Sequence, residues 1–169
     1  PEFRVSINLS YVQILKSPLM MELKQMIEHS GISCSGIIVE LTESGYLEGT
    51  PAVRSVWNDM KQLRIQIALD DFGTGYSNLM NISNLEPDIV KLDRGFTLKA
   101  LSRSYEYQLM QYVIEMVHKL NQYVCVEGVE TKEDLEKIKA LGPDLIQGYY
   151  YSKPCSRDEF LKKFFGYSE

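Results

Sequence analysis

Short apolar runs recur along the chain, and each ends in an acid, an amide or a lysine: Asn8, Glu40, Asp70 with Asp71, Lys91 with Asp93, Glu127 with Glu130, and Gln147. Longer stretches of helical periodicity separate them. This alternation predicts repeated β/α units around a parallel sheet, because strands and amphipathic helices of this kind must share one core. The C-terminal strand ends of such a fold face the same side, so the polar groups fall into one cup. Carboxylates gathered there repel one another unless positive charge lies between them. Divalent cations are the expected occupants.

The strands are expected at 3–9, 36–41, 65–69, 89–92, 123–126 and 144–146. Ser17-Pro18 opens a helix that presents Leu19, Leu23 and Ile27, and Gly31 stops it. Thr50-Pro51 opens a second, with Val53, Val56, Trp57, Met60 and Leu63 on one face. Leu109, Val113, Met116, Val117 and Leu120 mark a long helix after Ser104. Thr131 with Asp134, and Ser156 with Glu159, read as capping boxes, and Gly142-Pro143 ends the first of those two helices. No linker, low-complexity tract or close internal repeat breaks the succession, so residues 1–169 read as a single domain. A closed eight-stranded barrel needs at least about 200 residues. Six strands in 169 residues therefore suggest an incomplete (β/α)8 barrel whose N-terminal strands lie outside the chain.

Hydrophobic residues at 44% and charged residues at 24% exclude a disordered chain. A net charge of -5 gives no basic footprint for a DNA or RNA polymer. Cys34, Cys125 and Cys155 are odd in number and far apart, which supports neither a disulfide framework nor a zinc site and fits a reducing, cytoplasmic setting. No apolar run approaches the roughly 18 residues of a membrane span, so no membrane contact is expected from this segment. His29 and His118 fall on helix patterns and are assigned surface or packing roles. The run Tyr149 to Tyr151, with Phe160, Phe164 and Phe165, is expected to cover core, with room for one tyrosine to border a ligand.

Each motif has two readings on its own. Asp70 and Asp71 follow an apolar strand and precede a glycine loop, which suits either metal ligands or turn formers. Glu40 sits inside an apolar run, where a charge needs a partner, be it a metal or an ion pair. Lys91 and Asp93 are two apart and so on one strand face, as a catalytic pair or a plain buried pair. Glu130 precedes a helix cap and is favoured there by the helix dipole whatever else it does. Asn8 and Gln147 resemble the amides that end many strands. The shared address of all these groups favours the functional readings together.

The segments Asn8-Leu9-Ser10, Glu40-Leu41-Thr42-Glu43-Ser44, the run from Asp70 to Ser77, Lys91-Leu92-Asp93, the run from Glu127 to Thr131, and Gln147-Gly148-Tyr149 closely resemble, in order, the motifs of the bacterial EAL domain. The resemblance spans nearly the whole chain. It implies a TIM-barrel phosphodiesterase that hydrolyses cyclic di-GMP to linear pGpG with two Mg²⁺ or Mn²⁺ ions. It further implies that Asn8, Glu40 and Asp70 hold the first metal, that Asp70 bridges, and that Asp71 and Glu127 hold the second. Lys91 would position the attacking water, and Glu130 and Gln147 would complete the water and metal network. Asp93 would support the substrate or its solvent, and Glu43 would anchor the loop 72–77. A homodimer and fused sensory or diguanylate cyclase domains follow by the same resemblance. The glutamate of the Glu-Ala-Leu signature would lie upstream of Phe3, so the chain taken alone is expected to be catalytically impaired. Two other readings stand beside it: a non-hydrolysing cyclic di-GMP receptor or interaction module, and a Mg²⁺ barrel enzyme of the enolase type.

Overall fold

The computed structural model describes residues 3–16, 18–42, 50–74, 82 and 85–166. Six parallel strands pair in sequence order, β1 (Val5–Asn8), β2 (Ile37–Thr42), β3 (Gln66–Phe72), β4 (Ile89–Leu92), β5 (Tyr123–Glu127) and β6 (Leu145–Gln147). The sheet curls into part of a TIM-type barrel with β1 and β6 at its edges. Seven helices accompany it among the described residues: α1 (Tyr11–Lys16), α2 (Leu19–Ser30), α3 (Pro51–Gln62), α4 (Arg94–Ser102), α5 (Ser104–Lys119), α6 (Lys132–Lys139) and α7 (Arg157–Phe165).

Strand alternation divides the side chains between two environments. Val39, Leu41, Ile67, Leu69, Val90, Leu92, Val124 and Val126 point to the helices and form the main core with Trp57, Met60, Ile114 and Val117. Ile38, Ala68, Ile89 and Cys125 form a smaller apolar layer inside the curl. Because the strands are apolar on both faces, the polar groups are confined to their ends, as a parallel sheet requires.

The local signals act as their chemistry dictates. Thr50 Oγ1 accepts from Val53 N–H at the start of α3, with Pro51 as its first residue. Thr131 with Asp134, and Ser156 with Glu159, both form complete capping boxes. Gly31 ends α2 with φ +69 and donates its N–H to Ile27 O. The long helix α5 differs from expectation in its rotation. It buries Met110 and Ile114 along with the expected Val117, and Val113 and Met116 pack half-buried against the core as expected, while Leu109 and Leu120 are exposed. Both stripes are comparably apolar, so sequence periodicity alone does not choose between them.

One further expectation fails. Tyr149, Tyr151, Phe164 and Phe165 do not cover core, being 46–54% exposed on the open side beyond β6. Phe3 meets Phe160 and Phe165 at ring-centroid distances of 5.9 and 6.0 Å, so α7 packs towards the start of β1. The chain also repeats its geometry internally although its residues do not repeat. Arg64 and Asn121 take left-handed φ of 61° and 58° just before β3 and β5. Asp88 and Asp144, each after a proline, accept the N–H of Ile67 and Val124 at 2.8 Å. The residues after Asp70 and Glu127 both have positive φ, 60° at Asp71 and 80° at Gly128.

Candidate functional site

Three strands deliver carboxylates to one ammonium. Lys91 Nζ lies 2.7 Å from Glu40 Oε2, 3.1 Å from Asp70 Oδ1 and 2.6 Å from Glu127 Oε1. Each comes from the same inward-facing row, one step above the layer of Ile38, Ala68, Ile89 and Cys125. Lys91 and Glu40 are buried, at 4% and 7% exposure. Burial opposes the charge on Lys91, yet the hydrogen bonds it donates to Glu127 and Glu40 outweigh it and raise the pKa. Burial pushes the Glu127 carboxyl up, and the charges of Asp70 and Glu40 add to this against the opposing pull of Lys91. Three carboxylates share one cation, so the cluster is left with excess negative charge, which adds to both shifts.

The remaining expected residues are placed as follows. Asn8 ends β1 opposite Glu40 in register, and Gln147 ends β6 opposite Glu127. Asp71 is exposed, its backbone left-handed, and its N–H donates to Asp70 Oδ1 at 3.0 Å. Its pKa is raised by partial burial and by the Asp70 and Asp93 charges. The register of β3 against β4 shifts between Leu69 and Phe72, the stretch that holds Asp70 and Asp71. Alternation from Ala68 places Asp70 in the inward row, and Asp71 stays within reach of the charges of Asp70, Asp93 and Lys91. Asp93 does not share a strand face with Lys91. It lies beyond β4 and caps α4, its Oδ1 accepting from Gly95 and Phe96 N–H at 2.7 and 3.3 Å. Glu130 is held away from the lysine by Arg94, whose Nε and Nη2 donate to Glu130 Oε1 at 3.3 and 2.7 Å. Glu43 lies outside the described residues, as does the loop from Gly75 to Ser77. His29 and His118 stay on helices, His29 bonded to Gln25 O and His118 to Asp144.

A cavity of about 980 Å³ opens beside the cluster, lined among others by Arg4, Ser6, Cys125, Tyr149, Tyr151 and Lys153. Arg94 beside Glu130 and the inward-facing Cys125 lie outside the set of residues that the motifs point to. For Arg94 a signal existed, because a cation in the first turn of a helix opposes the dipole and so calls for another reason to be there. Burial pushes the Cys125 thiol up to about 12, leaving almost no thiolate at neutral pH. Iodoacetamide at pH 8 is therefore expected to alkylate exposed Cys155 in the native chain and Cys125 only after denaturant is added. Equal native labelling of the two, read by peptide mass spectrometry, would contradict a closed inner layer.

Among the described residues no group of three or more His, Cys, Asp or Glu side chains is arranged to hold a metal ion as it stands, because Lys91 fills the centre. The donor set nevertheless suits one. Carboxylate and amide oxygens are the hard ligands that Mg²⁺, Mn²⁺ and Ca²⁺ take. Three carboxylates against one ammonium leave a charge of about -2, which a divalent cation would balance.

A parallel barrel-type sheet with its polar cup at the C-terminal strand ends defines the chain as a TIM-type barrel domain with an enzyme-like site. The chain belongs to the EAL domain family, whose model matches residues 1–154. It is 32% identical over 154 residues to cyclic di-GMP phosphodiesterase PdeF of Escherichia coli, covering 91% of the chain and 21% of that protein. It is 29% identical over 164 residues to cyclic di-GMP phosphodiesterase NbdA of Pseudomonas aeruginosa, covering 95% of the chain and 21% of that protein. Among solved structures it is similar to the EAL enzyme Bd1971 with cAMP and cyclic di-GMP bound, with a TM-score of 0.89, 31% identity, and coverage of 95% of the chain and 42% of that one. The Klebsiella pneumoniae BlrP1 manganese/cyclic di-GMP complex aligns with a TM-score of 0.85 at 26% identity, covering 91% of the chain and 40% of that one. The chain thus spans about a fifth of the length of these curated relatives. No helix among the described residues is long and apolar enough to cross a membrane.

Proposed function

We propose that this domain hydrolyses cyclic di-GMP to linear pGpG with divalent cations, Mg²⁺ or Mn²⁺, two in number. The convergence of Glu40, Asp70 and Glu127 on Lys91 carries the reading. Relatives named as cyclic di-GMP phosphodiesterases, and a similar structure holding manganese and cyclic di-GMP, support it. Asn8, Glu40, Asp70, Asp71 and Glu127 would hold the cations, whose chemistry when bound is to offset charge on the attacking and leaving oxygens of an in-line displacement.

The chain's own groups then take distinct parts. With cations held by the carboxylates, the Lys91 ammonium would no longer be needed to neutralise them and would be free to orient water or a phosphate oxygen. Gln147, beside Glu127 in register, contributes an amide at the same rim. Asp93 acts through the helix it caps, and Glu130 through its pair with Arg94. Glu43 as a loop anchor, homodimerisation, fused sensory or cyclase domains and a cytoplasmic setting belong to the same proposal. A similar Pseudomonas aeruginosa protein named as a bifunctional cyclase and phosphodiesterase, MucR, supports the fused domains.

The full-length protein with Mn²⁺ and cyclic di-GMP is expected to yield pGpG, followed by chromatography, and Glu127→Ala to abolish it. No product from the intact protein would overturn the reading. A cyclic di-GMP receptor that binds without turnover is the second reading, favoured by the way Lys91 fills the cluster. Tight cyclic di-GMP binding with Lys91 charges still paired and no pGpG would select it.

A further inference from the structure

The first turn of α4 stands between the two turns that carry the carboxylates. On the β3 side, Asp93 N–H donates to Phe72 O at 3.0 Å. The Phe96 ring lies so close to Gly73 that an added Cβ would meet its Cδ1 at 2.8 Å. On the β5 side, the aliphatic stem of Arg94 lies across Gly128, where an added Cβ would collide with Arg94 Cγ and Cβ. The same side chain then clasps Glu130 Oε1 with two N–H groups. Gly128 has φ +80°, so the close approach and the backbone conformation both demand glycine.

Neither helix preference nor pair strength explains Arg94. A cation at the N-terminal turn opposes the helix dipole. An ion pair between side chains this exposed adds little stability. What the residue does is bracket the segment Glu127-Gly128-Val129-Glu130 at both ends, stem on the glycine and guanidinium on the glutamate.

We propose that Arg94 is a positioning residue, which fixes the β5–α6 turn so that Glu127 is presented to the cluster at β2, β3 and β4. The proposal rests on the metal-dependent reading for its consequence, though not for its geometry. Loss of a group that orients a metal ligand costs about 10–100-fold in metal affinity.

The test uses the chain without substrate, in the wild type and in Arg94→Ala and Arg94→Lys. Amide hydrogen exchange at Val129, whose N–H donates to Gln147 O, reports the turn directly. Titration with Mn²⁺ alone, followed by calorimetry, reports its consequence. Arg94→Ala is expected to speed exchange at Val129 and weaken Mn²⁺ binding about 10–100-fold. Arg94→Lys keeps the stem and loses the double clasp, so it should retain Val129 protection and lie between the other two in affinity. Wild-type exchange in Arg94→Ala would overturn the positioning role. Absence of Mn²⁺ binding by the wild type would instead overturn the metal-dependent reading, with exchange still deciding on Arg94.

Discussion

Replacing Lys91 by methionine is expected to destabilise the metal-free chain by about 3–5 kcal/mol, the cost of removing one partner from a buried ion cluster. Methionine preserves the bulk of the stem and removes the charge together with the N–H donors that reach the carboxylates. Glu40, Asp70 and Glu127 would then face one another with no cation between them. A domain of ordinary stability has about 5–15 kcal/mol in all, so urea denaturation in EDTA would register the loss as a large shift of midpoint. Mn²⁺ should restore much of it, because a divalent cation supplies the missing positive charge. An unchanged midpoint in EDTA would show that the carboxylates do not depend on the ammonium.

The pH dependence has two parts of the same sign in separate pH ranges. The raised pKa of Lys91 means that its stabilisation is complete below the ordinary lysine value of 10.5 and fades as pH rises through the folded value. Glu127 also binds its proton more tightly when folded, so its part weakens the fold as pH rises above the ordinary 4.5. Lys91→Met removes the first effect and enlarges the second. Its deficit relative to the wild type should therefore shrink in acid, where protonated carboxylates no longer repel.

Much of the fold was legible because the relevant signals are local. Each of the six strands was anticipated within about three residues at either end, since apolar runs flanked by glycine, proline or charge leave few alternatives. Capping boxes at Thr131 and Ser156 were readable because both partners lie within four residues. Two helices were missed. The helix α1 spans six residues, too few to display a period. The helix α4 was hidden by Asp93, which reads as a site residue in sequence and is a helix cap in space.

The site was legible as a set of addresses and not as a set of contacts. Glu40, Asp70, Lys91 and Glu127 do meet, because strand alternation and parallel register place them in one row. Which group sits in the middle depends on side-chain length. Lysine reaches across the curl from β4 to β2, which spacing along the chain does not encode. The register shift of β3 against β4 after Leu69 is likewise a property of two strands together. The partners of Arg94 are hidden for the same reason: Gly128 and Glu130 lie 34 and 36 positions away.

Gly148→Ala is expected to have the largest steric effect of any single methyl in the described residues. An added Cβ there would overlap the backbone of Val129, with its O, N and C all in the way. The two segments are held together by Val129 N–H to Gln147 O at 3.3 Å and Tyr150 N–H to Val129 O at 3.0 Å. No rotamer relieves a clash with backbone, so β6 must move and take Gln147 away from Glu127. Overpacking of this kind costs about 3 kcal/mol, and at about 2–4 °C per kcal/mol the thermal midpoint should fall by about 6–12 °C. Gly142→Ala provides the contrast, because Gly142 has φ +76° and nothing within 4 Å of an added Cβ. Its cost is conformational alone, about 1–2 kcal/mol. Calorimetric midpoints for the two variants separate the effects: a drop for Gly148→Ala no larger than that for Gly142→Ala would mean that β6 and the β5–α6 turn are not held in the close approach on which the placement of Gln147 depends.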